Sequence, residues 1–279
     1  MTPAPPADAA PARREGRWPT AVPLAVVLST TLLVFLVLPT VALIVTARPA
    51  TLLAGLSNAL VAPALALSLA TTGFALLVIV VCGTPLAWWL GRTRAPRARW
   101  IETAVQLPTV IPPAVAGIAL LLTFGRRGLL GTWLDRAGLG VAFSAAAVVM
   151  AQVFVAAPFY LSAATEAFAR LDVNMLAVAR SLGASPARVF LRVGLPLARP
   201  GLVAGAAMSW ARALGEFGAT LMFAGNMAGK TQTLPLAIYS ALESDLRTAQ
   251  ALSVILVAVA FTLLVVIRRL QRSKDVAPM

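Results

Sequence analysis

The chain has 279 residues, of which 59% are hydrophobic and only 12% charged, with a mean hydropathy of +0.87. Soluble domains carry about 25% charged residues, so this composition excludes a large water-soluble core and reads as an all-α, polytopic membrane protein. There is no histidine, and the one cysteine, Cys82, lies in an apolar run, which excludes a disulfide framework and a His/Cys metal cluster.

Residues 1–20 are rich in Pro and Ala, carry Arg13, Arg14 and Arg17, and are expected to form a disordered tail. The apolar run at 24–47 is longer than the ~7–15 residues of a signal-peptide core, so it reads as a retained first span. Residues 48–63 form a connection with room for a short helix. A second span, 64–90, closes on Trp88-Trp89, a pair suited to the headgroup belt. A short, strongly basic loop follows (GRTRAPRARW, 91–100). The third span, 101–124, holds Pro108, Pro112 and Pro113. Each proline removes a backbone hydrogen bond, so this span must kink or unwind where neighbours or a cavity satisfy the freed carbonyls. Residues 125–143 form a glycine-punctuated loop with a short surface helix expected around Trp133, and the fourth span covers 144–165.

Residues 166–200 are too polar for a membrane yet patterned as helix. Asp172 is placed to N-cap a first helix, and Gly183 to end it as the left-handed residue beyond its C-terminus. Ser185-Pro186 is a start signal for a second. Leu176, Ala179, Leu182, Val189, Phe190 and Val193 give the two helices an apolar stripe, while Arg180, Arg188, Arg192 and Arg199 keep them wet. Pro196 and Pro200 are expected to stop the second helix before the fifth span, 201–224, whose small residues at spacings of four suit close helix packing. The sixth span is 249–267. A single transmembrane domain is thus expected over 21–268, with the 166–200 segment inside it and a basic tail at 269–279.

Charge decides the orientation. With six spans and an inside N-terminus, sixteen of the 23 Lys and Arg residues fall on the inner side, six on the outer side, and Arg212 within a span. This bias follows the positive-inside rule and places both termini and 166–200 in the cytoplasm of a multi-pass protein of the cytoplasmic membrane. The basic excess is then topology plus contact with anionic membrane lipid, and nucleic acid is not an expected partner.

Arg212 and Glu216 are the ionisable residues deep within a span, at a spacing that lets the side chains meet on one helix face. Charge at that depth calls for a partner or water; the pair is either structural or part of a pathway. Thr109, Ser209 and Thr220, with Pro108, Pro112 and Pro113, complete the candidate pathway set. The stretch from Gly225 to Thr231 imitates a phosphate-binding loop, but it is one residue short between its glycines and follows a membrane helix rather than a strand.

Gly183, nine intervening residues, Val193 and then Leu195-Pro196 resemble the EAA loop of ABC-importer permeases. Ala177-Val178-Ala179 stands in the E-A-A register, so the glutamate is absent and the second alanine matches. ARALGEFGATLMFAGN (211–226) and KTQTLPLAIY (230–239) resemble molybdate permeases, with sulfate permeases as near relatives. Leu107-Pro108, Pro112-Pro113, Ala116-Gly117 and FGRRGLLG (124–131) are similar to the same group. The resemblance implies a type I ABC-importer permease fold. It also implies a coupling helix built from Asp172, Ala177, Ala179, Arg180, Gly183, Ala184, Ser185, Val189, Phe190, Val193, Leu195 and Pro196. The implied assembly is a permease homodimer, two copies of an ABC ATPase subunit that bind ATP and Mg, and an extracytoplasmic binding protein. This chain would bind no cofactor and would be no enzyme. Molybdate is the implied cargo, with sulfate, thiosulfate or tungstate as alternatives. An ion-coupled secondary transporter is a remoter alternative, since such proteins usually show inverted repeats or several intramembrane acids. A membrane-embedded enzyme would need a catalytic constellation that these residues do not make.

Overall fold

A computed structural model describes residues 21–47, 61–93 and 95–272, and all regular structure among them is helical. The described residues up to Thr46 belong to one unit, in which α1 (Ala21–Val45) is apolar around its whole circumference, as a helix bathed in lipid must be. The expected tail at 1–20 and the short helix in the 48–63 connection fall on or mostly on residues outside those described.

The second unit, from Ala47 on, is built around α2 (Val61–Arg92), α6 (Ala145–Ala169) and α9 (Leu195–Leu214). The small residues of the expected fifth span explain the α6–α9 contact. A Cβ on Gly201 would lie 2.5 Å from that of Ala167, and one on Gly205 2.8 Å from that of Ala163, so only glycine lets the backbones come this close. Ile79, Ala87, Tyr160, Phe168, Ala198 and Ala213 fill the resulting core. Several buried polar groups pair between helices. Thr84 Oγ1 and Tyr160 Oη share a hydrogen bond of 2.6 Å, and Trp210 Nε1 donates to Thr72 Oγ1 at 2.9 Å. Gln152 Nε2 donates to Thr71 Oγ1 at 3.2 Å. In lipid such bonds contribute about 0.6–2 kcal/mol each.

Around this centre lie α3 (Pro96–Val110), α4 (Pro113–Phe124), α5 (Gly131–Arg136), α7 (Val173–Ser181), α8 (Pro186–Val189), α10 (Gly218–Ala224), α11 (Leu234–Ser244) and α12 (Leu246–Arg272). The surface helix expected around Trp133 is α5, with the indole exposed. Five described helices are long and apolar enough to cross a membrane, and α3 with α4 makes a sixth if the pair is one span bent by 114°. The expected kink of the third span is therefore a full break at Ile111-Pro112. Pro108 sits inside α3 without ending it.

Three further expectations are corrected. Pro196 and Pro200 do not stop the chain: helix runs from Pro186 to Leu214 and breaks instead at Gly215–Glu216–Phe217. For Pro196 the reason lies at Phe190–Gly194, a π turn in which the Leu195 N–H reaches back to Phe190 O, while Pro200 sits inside α9. This change of register comes just ahead of Pro196, which then opens a new helical stretch where a missing N–H is tolerated. Residues 234–244, which fall between the expected fifth and sixth spans, are helix α11. Its Leu234, Ala237 and Ala241 pack with Val61 and Ala64 of α2 and Ala249 and Leu252 of α12. The last helix also runs into the segment expected as tail, ending at Arg272.

Candidate functional site

Two places carry the residues singled out by sequence. The first is the polar segment between α6 and α9. Asp172 caps α7, its Oδ1 accepting the Asn174 N–H at 2.8 Å. At the other end Gly183 has φ +83°. Its N–H donates to Arg180 O at 2.9 Å, and the Ala184 N–H donates to Ala179 O at 3.1 Å. Those two bonds are a Schellman closure, which needs a left-handed residue at this position. Ser185 Oγ then accepts the Arg188 N–H at 3.4 Å to start α8 behind Pro186.

The segment is hung from the membrane body by aromatic rings. Trp88 meets Phe168 edge-on at 5.2 Å and Phe190 at 5.3 Å between ring centroids, and the Arg92 guanidinium lies 5.9 Å from the indole centroid. Arg92 Nη1 also donates to Leu171 O at 3.3 Å, tying the end of α2 to the chain entering α7. Trp88, half-buried, thus packs against Phe168 and Phe190. Leu176 and Val189 of the expected stripe are buried; Ala179, Phe190 and Val193 are half-buried. Leu182 departs from the stripe and is 83% exposed. With Val173 and Val178 it gives α7 an uncovered apolar surface beside the exposed Arg180, Arg188 and Arg192. Ala177 is exposed at the position where the resemblance wants glutamate; Leu195 is half-buried and Pro196 exposed.

The second place is where the two broken helices meet. A Cβ on Gly218 would stand 2.9 Å from Cβ of Pro113, and one on Gly117 2.6 Å from Ala219 O, so α4 and α10 touch backbone to backbone beside both breaks. Arg212, in the last turn of α9, reaches across the α9–α10 break to Glu216, Nη2 to Oε2 at 3.4 Å. The pair forms, but not on one helix face as expected, because the helix has ended between its members. Phe217 in the same break packs on Tyr239 of α11 at 5.3 Å between ring centroids.

The other expected pathway residues divide. Ser209 is buried, its Oγ donating to Ala156 O at 2.9 Å across the α6–α9 contact. Thr220 is also buried, and its hydroxyl has no partner. Pro112 and Pro113 are exposed and Pro108 half-buried. Thr109 is exposed and bonds its own helix at Gln106 O. It lines an open groove of about 790 Å³ between α3, α6 and α9, together with Gln106, Ser162, Glu166, Gly201 and Met208. Sequence reasoning missed Gln106 and Ser162, which hydrogen-bond each other there; neither carries a local motif. Among the described residues no three His, Cys, Asp or Glu side chains converge on a possible metal site.

Spans that break against one another, with a capped polar helix pair joined to them, define a polytopic integral membrane protein. Residues 83–274 match the family described as binding-protein-dependent transport system inner membrane component, and the chain belongs to that family. It is 47% identical over 197 residues to the molybdenum transport system permease protein ModB of Mycobacterium tuberculosis, covering 71% of this chain and 75% of that one. To the protein of the same name in Escherichia coli K12 it is 36% identical over 202 residues, covering 72% and 88%. Among solved structures it shares its fold with a bacterial alginate ABC transporter in complex with a pentasaccharide-bound periplasmic protein. That match has a TM-score of 0.73 at 16% identity, over 93% of this chain and 96% of that one. An inward-facing methionine ABC transporter, MetNI, matches with a TM-score of 0.62 at 21% identity, over 77% and 95%. The architecture is that of a type I ABC-transporter permease.

Proposed function

We propose that this chain is the membrane-spanning subunit of an ATP-driven molybdate importer of the cytoplasmic membrane. The observation that carries the reading is the 47% identity to a molybdenum permease over 197 residues. The quoted resemblances at 107–117, 124–131 and 211–239 support it, and so does the broken-helix junction that those stretches build.

In this reading α7 and α8 are the coupling element. Their uncovered surface, apolar at Val173, Val178 and Leu182 and basic at Arg180 and Arg188, docks into a separate ATPase subunit that binds ATP and Mg. Two copies of the permease surround the path and two ATPase subunits sit beneath. An extracytoplasmic binding protein delivers the anion from above. The Trp88–Phe168–Phe190 cluster joins the coupling element to α2 and α6, so a push on α7 reaches the spans through packed rings rather than a loose loop. Arg212 is the cation offered to the dianion where α4 and α10 meet.

The test is ATP hydrolysis by the reconstituted transporter with its own binding protein, loaded in turn with molybdate, tungstate and sulfate. Molybdate and tungstate are expected to stimulate turnover and sulfate to do so weakly or not at all. Stimulation by sulfate alone would move the chain to the sulfate branch.

A further inference from the structure

The Arg212–Glu216 pair is lopsided. The Glu216 side chain is 1% exposed and that of Arg212 33%. Glu216 Oε1 accepts the Ala219 N–H at 2.8 Å, so the carboxylate is tied to the first turn of α10. Its Oε2 stands 3.4 Å from the guanidinium and makes no hydrogen bond. Arg212 has five donors, and Glu216 satisfies none of them in a hydrogen bond. Its charge nevertheless lies close enough to cancel much of the cation's field in a low-dielectric setting.

The partners sit on either side of a helix break. Arg212 belongs to α9, which Ser209, Gly201 and Gly205 bind to α6. Glu216 is tied to α10, which packs on α4 at Pro113 and Gly117 and, through Ala219, Phe223 and Ala224, on α6. Gly215 to Phe217, the link between α9 and α10, is not helical. Any shift of α10 against α9 therefore changes the distance between carboxylate and guanidinium.

We propose that Glu216 is a built-in competitor that releases a dianionic oxyanion from Arg212. With α10 close, the carboxylate neutralises the arginine and the anion leaves; with α10 withdrawn, the bared guanidinium accepts it. A bare arginine in low dielectric would hold a dianion too firmly for passage, and a path needs sites weak enough to leave. Glu216 is thus a positioning residue acting through Arg212, and the inference rests on the oxyanion-permease reading above.

The experiment uses the assembled transporter in proteoliposomes. Retention of labelled molybdate without binding protein is measured beside ATP-driven uptake with it, both per assembled complex. Glu216→Gln should retain molybdate about ten-fold more tightly, equivalent to about 1.4 kcal/mol, while importing more slowly. Glu216→Asp, which keeps the charge but reaches less far, should shift both in the same direction by less, and guards against a folding defect in the first variant. Arg212→Gln should abolish retention, and Arg212→Lys should restore part of it. A merely structural Glu216 would lower the yield of complex without tightening retention. Unchanged or weaker retention in both Glu216 variants overturns the proposal while leaving the permease reading intact. Wild-type transporter that neither retains nor imports molybdate would remove both, and that is seen before any variant is made.

Discussion

Gly183 has φ +83° and no atom within 4 Å of where a Cβ would stand, so its constraint is purely conformational. There is ample room for a side chain, but the backbone is one that β-branched residues resist. Gly183→Val should therefore cost about 1–3 kcal/mol locally and open the Schellman closure between α7 and α8. Membrane insertion should persist, because no span is touched. Uptake and copurification with the ATPase subunit should fall several-fold, as read by pull-down from solubilised membranes. Full uptake with normal copurification would show that the closure has no part in docking. Gly183→Asn, which tolerates the left-handed region better, should be milder.

At the scale of elements, the π turn decides how the coupling segment meets the membrane body. Gly194 has ordinary helical angles, but a Cβ there would lie 2.5 Å from Cζ3 of Trp88. Its constraint is purely steric, the reverse of that at Gly183. The indole is itself held by Phe168 and Phe190, so it has little freedom to retreat. Gly194→Ala is expected to destabilise by about 1–3 kcal/mol, the usual range for overpacking, measured as a lowered midpoint of thermal unfolding in detergent. Combining it with Trp88→Phe should return part of that loss, because the smaller ring vacates the contested volume. A double variant as unstable as the sum of its parts would mean that the two residues do not compete for this space. The same register change accommodates Pro196 within one continuous element, whereas α3 ends just before a Pro-Pro pair.

For the whole molecule, the charge bias assigns 166–200 to the cytoplasm and the loop after α10 to the outside. Ser185 and Ala228 are both exposed, in the α7–α8 turn and in that loop. Cysteines placed singly at these positions in a Cys82→Ala background should label from opposite sides of a sealed membrane with an impermeant thiol reagent. The Cys82 replacement is needed because its own side chain is exposed. Labelling of both from the same side would rule out an odd number of crossings between them. It would also require α6 and the long helix from Pro186 to Leu214 to lie differently across the bilayer.

Hydropathy, proline and glycine spacing, and the distribution of arginines were enough to establish an all-helical membrane protein and the capped helix–Gly–helix segment. These depend on local physics: transfer of apolar side chains, backbone angles that only some residues adopt, and charges that stay in water. Tertiary structure alone decided where the spans break, that 234–244 is helix, that Trp88 packs on Phe168 and Phe190, and that a helix break separates Arg212 from Glu216. A proline's effect is not legible locally: a π turn precedes Pro196, Pro108 and Pro200 lie within helices, and the chain breaks at Ile111-Pro112. Residues 234–244 gain from packing on α2 and α12, partners distant in sequence. Ser209 and Thr109 read alike as hydroxyls in a span, yet one is buried against Ala156 and the other opens on a groove. That difference follows from which neighbouring helix covers each face, and no local pattern of residues encodes it.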